Sequence, residues 1–266
     1  MRTRAITGFF FIVILIGVVL WSPYSFVAFF VTMAGMCAFE FYRMVASESV
    51  RPLQVFGPLC SVLAVGITGL VLLELFPTST LLLAVLLVLF TYILALFRKQ
   101  GHPIADVSYT LFGLLYTAVP FSFFIALGFI GGAYNAFIPL GFLIMLWTND
   151  TGAYLAGRSF GRNKLFERIS PKKTWEGFFG GVILAVFVGL NLARYFSELT
   201  SAQWVTMALI IGIFGTLGDL VESMLKRNLG VKDSGNILPG HGGLLDRFDG
   251  LLMAAPLVFI FLKIIA

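Results

Sequence analysis

The sequence predicts an all-α, polytopic membrane protein of about nine transmembrane helices, N-terminus cytoplasmic and C-terminus on the opposite side. Of its 266 residues, 59% are hydrophobic and only 12% are charged, about half the charged share of a soluble domain. One globular core cannot hide that much apolar surface, so lipid must cover the remainder. The apolar residues also gather into runs long enough to cross a hydrocarbon layer, which takes roughly 20 residues as helix. No period-2 alternation suggests a barrel, and spanning segments must satisfy their own backbone hydrogen bonds. The runs are therefore expected to be helices.

The expected spans lie at about 5–21, 25–42, 53–76, 80–97, 107–128, 136–150, 175–194, 203–218 and 250–266. Turn-like breaks separate them: Trp21-Ser22-Pro23, Pro77-Thr78-Ser79 and Gly131-Gly132. With the N-terminus inside, this arrangement puts all but Arg194 and Lys263 of the 18 Lys and Arg on the cytoplasmic side. The positive-inside rule thus supports both the number of spans and their orientation. It also accounts for the net charge of +5 without a nucleic-acid partner. The opening Met1-Arg2-Thr3-Arg4 and its apolar run resemble a signal peptide, but no small-x-small cleavage site follows. The run is read as a retained first helix. Cys37 and Cys60 lack metal-ligand spacing and are read as small buried hydrophobes.

The chain divides unevenly. Residues 1–130 are expected to be hydrophobic helices serving packing, lipid access and oligomer contacts. Residues 131–266 are expected to be the catalytic membrane domain, with polar cytoplasmic loops at 151–174 and 219–249. No internal repeat is visible, which speaks against an inverted-repeat transporter.

The carboxylates near the cytoplasmic edge carry the sharpest signal. If the eighth helix continues past Leu217, then Asp219, Glu222, Lys226 and Arg227 share one face. Asp246 and Asp249, three apart, share a face where the ninth helix begins. Two acid pairs bracketing a glycine-rich, basic loop suit a divalent metal and phosphate. A lone acid pair at a helix end is more often a solvated dipole partner. Two pairs beside the membrane are harder to explain that way, because ionisable groups there are costly. The loop is neither a Walker loop nor a GxGxxG turn. His241 reads equally as a structural residue or a ligand, and Lys172 and Lys173 equally as charge anchors or site residues.

Ser223-Met-Leu-Lys226-Arg227, Lys232-Asp233-Ser234 and Leu238-Pro-Gly-His241-Gly242-Gly243-Leu-Leu-Asp246-Arg247-Phe-Asp249 together resemble the signature of the phosphatidate cytidylyltransferase (CDP-diglyceride synthase) family. A second block is similar to the upstream part of the same family: Asp150-Thr-Gly-Ala-Tyr-Leu-Ala-Gly157-Arg158, Gly161-Arg162-Asn-Lys164 and Ser170-Pro-Lys172-Lys173-Thr174-Trp-Glu-Gly177. The resemblance covers about the last 120 residues. It implies transfer of CMP from CTP to phosphatidic acid, giving CDP-diacylglycerol and pyrophosphate.

On that resemblance, Asp219, Asp246 and Asp249 are expected to bind metal, with Mg²⁺ the expected cofactor. Lys226, Arg227, Lys232 and Arg247 are expected to contact phosphates, and Asp246, Asp249, Lys226 and Arg227 to form the catalytic set. His241, Gly242 and Gly243 would shape the nucleotide loop beside Asp233, and Ser223 would donate a hydroxyl. Asp150, Lys172, Lys173 and Thr174 would complete the site. The family also implies a homodimer, and the compact chain favours a bacterial inner membrane. The nearest rival is a CTP-dependent lipid-alcohol kinase. A CDP-alcohol phosphotransferase fits poorly because Asp249-Gly250 lacks that family's following arginine. An ion or solute transporter predicts acids spread through the bilayer rather than gathered at one face.

Overall fold

The computed structural model describes residues 2–98, 102–237 and 242–265, with the side chains of residues 2–6 outside that description. Among the described residues its regular structure is helical apart from one small β-hairpin. In chain order the elements are α1 (Arg2–Trp21), α2 (Pro23–Val45), α3 (Phe56–Leu72), α4 (Leu83–Leu96), α5 (Pro103–Gly113), α6 (Val119–Leu127), α7 (Phe137–Phe160), β1 (Lys164–Phe166), β2 (Ser170–Thr174), α8 (Trp175–Tyr195), α9 (Ser201–Asn228) and α10 (Leu245–Ile265). A 3₁₀ turn at Thr78–Leu82 leads into α4, and a π turn at Leu114–Ala118 joins α5 to α6. Every apolar run of the sequence is helical. Among the described residues, six helices are long and apolar enough to cross a membrane: Pro23–Val45, Thr78–Leu96, Pro103–Leu127, Trp175–Tyr195, Ser201–Asn228 and Leu245–Ile265. Thr7–Trp21 and Phe56–Leu72 are shorter apolar helices.

The helix boundaries follow local chemistry. Ser22 opens α2 through a capping box with Ser25, and Pro23 supplies a preset φ at the first turn. Thr200 and Gln203 cap α9 in the same way. Both polar connections are shorter than the sequence suggests, because α7 runs on through Phe160 and α9 through Asn228. The extra turns of α9 are charged yet still helical. Glu222 and Lys226 pair at i,i+4 across 3.4 Å, and Lys226 and Arg227 face the negative end of the helix dipole. The remaining part of the first connection folds into the antiparallel β1–β2 hairpin, a local departure from an all-α chain.

The chain forms two compact units, Met1–Ala126 with Asp233–Arg247, and Leu127–Lys232 with Phe248–Ala266. In the first, α2 is the central helix. Its Phe26 and Phe30 pack against Phe121 and Phe124 of α6, with a Phe30–Phe124 centroid separation of 4.7 Å. Tyr42 donates a 2.7 Å hydrogen bond to the Thr110 carbonyl, and Cys37 and Cys60 are buried thiols outside any disulfide. By contrast, the Thr78–Leu96 span presents Leu82, Leu86, Phe90 and Ile93 outward, and only 11% of it is buried. Lipid is the solvent that surface fits.

Asp106 ties together the loop edge of this unit. Its Oδ1 accepts the Arg51 amide at 2.7 Å, and its Oδ2 pairs with Arg98 at 3.3 Å. The side chain is almost wholly buried, so its loss removes the acceptor of a backbone donor and the counter-ion of Arg98. Asp106→Ala is expected to lower the thermal midpoint of the detergent-purified protein by roughly 5 °C. Asp106→Asn, which keeps the acceptor for Arg51, should lose less, as thermal unfolding followed by fluorescence will report.

Candidate active site

The second unit is built on α7, α8 and α9, whose close approach depends on small residues. A Cβ on Gly152 would lie 3.0 Å from the Gly180 carbonyl, and one on Gly181 would lie 2.7 Å from Asn149 Oδ1. Asn149 is buried and donates to Thr216 Oγ1 at 3.3 Å, fixing α7 against α9. At the α9–α10 crossing, a Cβ on Gly218 would meet the Asp249 carbonyl at 2.5 Å. Backbones this close bring Asp219, one residue on, beside Asp249.

A cleft of about 380 Å³ opens on this framework, lined among others by Asp150, Tyr154, Arg158, Lys172, Lys173, Thr174, Thr216 and Asp219. Lys173 Nζ lies 2.6 Å from Asp219 Oδ2, while Ser223 Oγ donates to Asp219 Oδ1 at 3.2 Å. Asp249 Oδ1 accepts the Gly250 amide at 2.6 Å, and Asp219, Asp150 and Lys173 are within electrostatic reach of its carboxylate. Thr174 is buried and caps α8 through the Gly177 amide at 3.2 Å, which fixes the strand bearing Lys172 and Lys173. Glu176 braces the hairpin from α8, accepting from Asn163 Nδ2 at 2.8 Å.

The residues predicted from sequence therefore separate into groups. Asp150, Lys172, Lys173, Thr174, Asp219, Ser223 and Asp249 converge in the second unit. Lys226, also in that unit, is nearly buried and held by Glu222, and Arg227 donates to the Val231 carbonyl at 3.1 Å. Lys232 is exposed. In the first unit, the Asp246 carboxylate accepts the amides of Ser234 and Gly243 at 3.1 and 2.8 Å, while Asp233 and Arg247 are exposed. Gly242 adopts a left-handed backbone with φ of 81°, as a tight loop demands of glycine. His241 lies outside the described residues. Arg158 and Tyr154, hydrogen-bonded to each other at 3.1 Å, line the cleft although sequence reasoning gave them no role. Their one signal was that both stand within the Asp150 motif.

No group of three or more His, Cys, Asp or Glu among the described residues forms a ready metal cage. The donor set still suits a hard cation. Asp219 and Asp150 bear on the Asp249 carboxylate with Lys173 as the neighbouring cation, and such crowding of like charge favours a positive ion. Magnesium needs only one or two carboxylates when substrate phosphates and water complete its shell.

Helices of this length and polarity, around a cleft bearing both carboxylates and lysines, define a polytopic helical membrane protein with a charged cleft. The chain belongs to the cytidylyltransferase family, whose model matches residues 2–265. It is 45% identical over 166 residues to the phosphatidate cytidylyltransferase of Staphylococcus aureus, and 42% identical over 166 residues to that of Staphylococcus epidermidis. Each of those matches takes in 62% of this chain and 62% of the relative, so the chain spans less than two thirds of their length. The phosphatidate cytidylyltransferase of Staphylococcus haemolyticus is 42% identical over 183 residues, 68% of each chain.

Proposed function

We propose that this protein transfers CMP from CTP to phosphatidic acid, forming CDP-diacylglycerol and pyrophosphate. The observation that carries the reading is the cleft in which Lys173 meets Asp219 at 2.6 Å with Asp150 and Asp249 nearby. It combines the two charge types that nucleotidyl transfer requires, and the names of the family's relatives agree with it. A phosphate oxygen of the lipid attacks the α-phosphorus of CTP. The bond from that phosphorus to the oxygen bridging the α- and β-phosphates breaks, and pyrophosphate leaves. The nucleophile is a phosphomonoester, whose second pKa falls at about 6–7, so it is largely dianionic near neutral pH. No strong general base is required.

The chain's task is then to bring polyanions together. Lys172, Lys173, Arg227, Lys232 and Arg247 are proposed phosphate contacts. Lys226 joins them only by exchanging Glu222 for phosphate. Ser223 orients Asp219, and Asp233, His241, Gly242 and Gly243 are proposed nucleotide-loop residues. Asp219 and Asp249 would hold magnesium. Asp246 is the third proposed ligand, on its place in the family motif. The bound ion would neutralise phosphate charge. We place the protein in a bacterial cytoplasmic membrane with nine spans, N-terminus inside, as a homodimer.

The test uses purified protein in detergent with labelled CTP and phosphatidic acid. Lipid-linked CMP and pyrophosphate should form in equal amounts with magnesium. Excess EDTA should abolish turnover, and added magnesium should restore it. Absence of lipid-linked CMP overturns the proposal, whereas CDP release with phosphorylation of a lipid alcohol identifies a kinase.

A further inference from the structure

We propose that Glu40, an acidic residue within the apolar helix α2, is a positioning residue for the glycine-rich loop that precedes α10. Glu40 is 3% exposed, and a buried carboxylate inside a run of apolar residues must be offset by strong hydrogen bonds. Its partners come from the far end of the chain. Oε2 accepts the Leu245 amide at 2.8 Å and the Ser234 hydroxyl at 3.4 Å. The amides of Leu244 and Ile237 lie within electrostatic reach of the same carboxylate. Both ends of the loop thus converge on one side chain.

The loop is shaped around that carboxylate. A Cβ on Gly235 would collide with Glu40 Oε1, and one on Gly243 would collide with Ser234 Oγ and lie 2.8 Å from Glu40 Oε2. Glycine is therefore required at both positions for backbone to approach the acid. From the other side, Asp246 accepts the amides of Ser234 and Gly243. Glu40 and Asp246 together fix Ser234, Gly243 and Leu245 through four donor groups, the Ser234 amide and hydroxyl and the amides of Gly243 and Leu245, and charge-assisted bonds of this kind are about twice as strong as neutral ones. Helix α2 thereby sets the conformation of a motif roughly 200 residues away in sequence.

The kinetic consequence rests on the CMP-transfer reading, in which this loop contacts the nucleotide; the conformational consequence does not. Hydrogen–deuterium exchange of the substrate-free protein tests the second. In Glu40→Ala, peptides covering 233–237 and 242–247 should exchange at least tenfold faster, with α7 and α9 peptides unchanged. Steady-state kinetics test the first. KM for CTP should rise at least tenfold in Glu40→Ala with KM for phosphatidic acid within twofold of the parent. Glu40→Gln retains a carbonyl acceptor for Leu245 and should bring KM for CTP back to within about threefold. It also serves where the alanine variant does not fold. Unchanged loop exchange in Glu40→Ala, or a Glu40→Gln variant with no recovery toward the parent, overturns the proposal. So does faster loop exchange with unchanged kinetics in a protein that turns over CTP. A parent protein without CTP turnover overturns the kinetic arm alone.

Discussion

Asp249→Asn is expected to lower kcat for CMP transfer by about two to three orders of magnitude while the protein folds normally. The substitution keeps an oxygen that can accept the Gly250 amide, now at 2.6 Å, and so preserves the first turns of α10. What it removes is negative charge from a site where Asp219 and Asp150 already crowd it. Folding gains from that removal, because like charges in a poorly solvated place repel. Catalysis loses, because the same charge is the proposed hold on magnesium between two polyanionic substrates. Stability and activity should therefore move in opposite directions: an unchanged or raised thermal midpoint with a collapsed kcat. The magnesium concentration giving half-maximal rate should rise in parallel. A variant with the parent's kcat would remove Asp249 from the site and leave family membership untouched.

Much of this was legible in the sequence, and the parts that were not have physical causes. Every apolar run became a helix, because lipid leaves a spanning backbone no other economical way to satisfy its hydrogen bonds. The ends were harder to place. The turn from Asp219 to Arg227 looks like a polar loop by composition, yet the Glu222–Lys226 pair and the helix dipole keep it helical. The hairpin was hidden for a different reason. Ser170-Pro-Lys-Lys-Thr174 carries almost no strand propensity, and the strand exists because Thr174 and Glu176 anchor it to α8.

The site shows the same division. Spacing alone identified Asp219, Asp246 and Asp249 as acids of interest, since helical periodicity is readable without coordinates. It could not show that Asp246 reaches back to the Gly243 amide, in the manner of a capping box. Lys173's partner was also invisible, because a hairpin had to form before its ammonium could reach Asp219. Glu40 carries its own signal: one acid inside Ala38-Phe39-Glu40-Phe41 is costly enough to ask for a function, although nothing in the surrounding composition points to its partners.

The glycine at the α9–α10 crossing provides the second large expected effect. In Gly218→Ala the new Cβ would sit 2.5 Å from the Asp249 carbonyl and 3.2 Å from Met253 Cβ. Neither obstacle can swing away, since one is backbone and the other is fixed directly to it. The two helices must part, at about 1–3 kcal/mol for overpacking. Asp219 and Asp249 then separate, and misplacement by about 1 Å can cost on the order of 10²-fold in rate. Gly215→Ala, one turn away, makes the comparison discriminating. Its Cβ would meet Leu146 Cδ1 at 2.9 Å, the far end of a flexible side chain, while the nearest α10 backbone atoms lie 4.0 Å off. A leucine rotamer can absorb that contact. We expect Gly218→Ala to lower kcat at least 30-fold and the thermal midpoint by several degrees, with Gly215→Ala within about threefold of the parent. Equal impairment of both would mean that general packing, rather than the separation of Asp219 from Asp249, governs the rate.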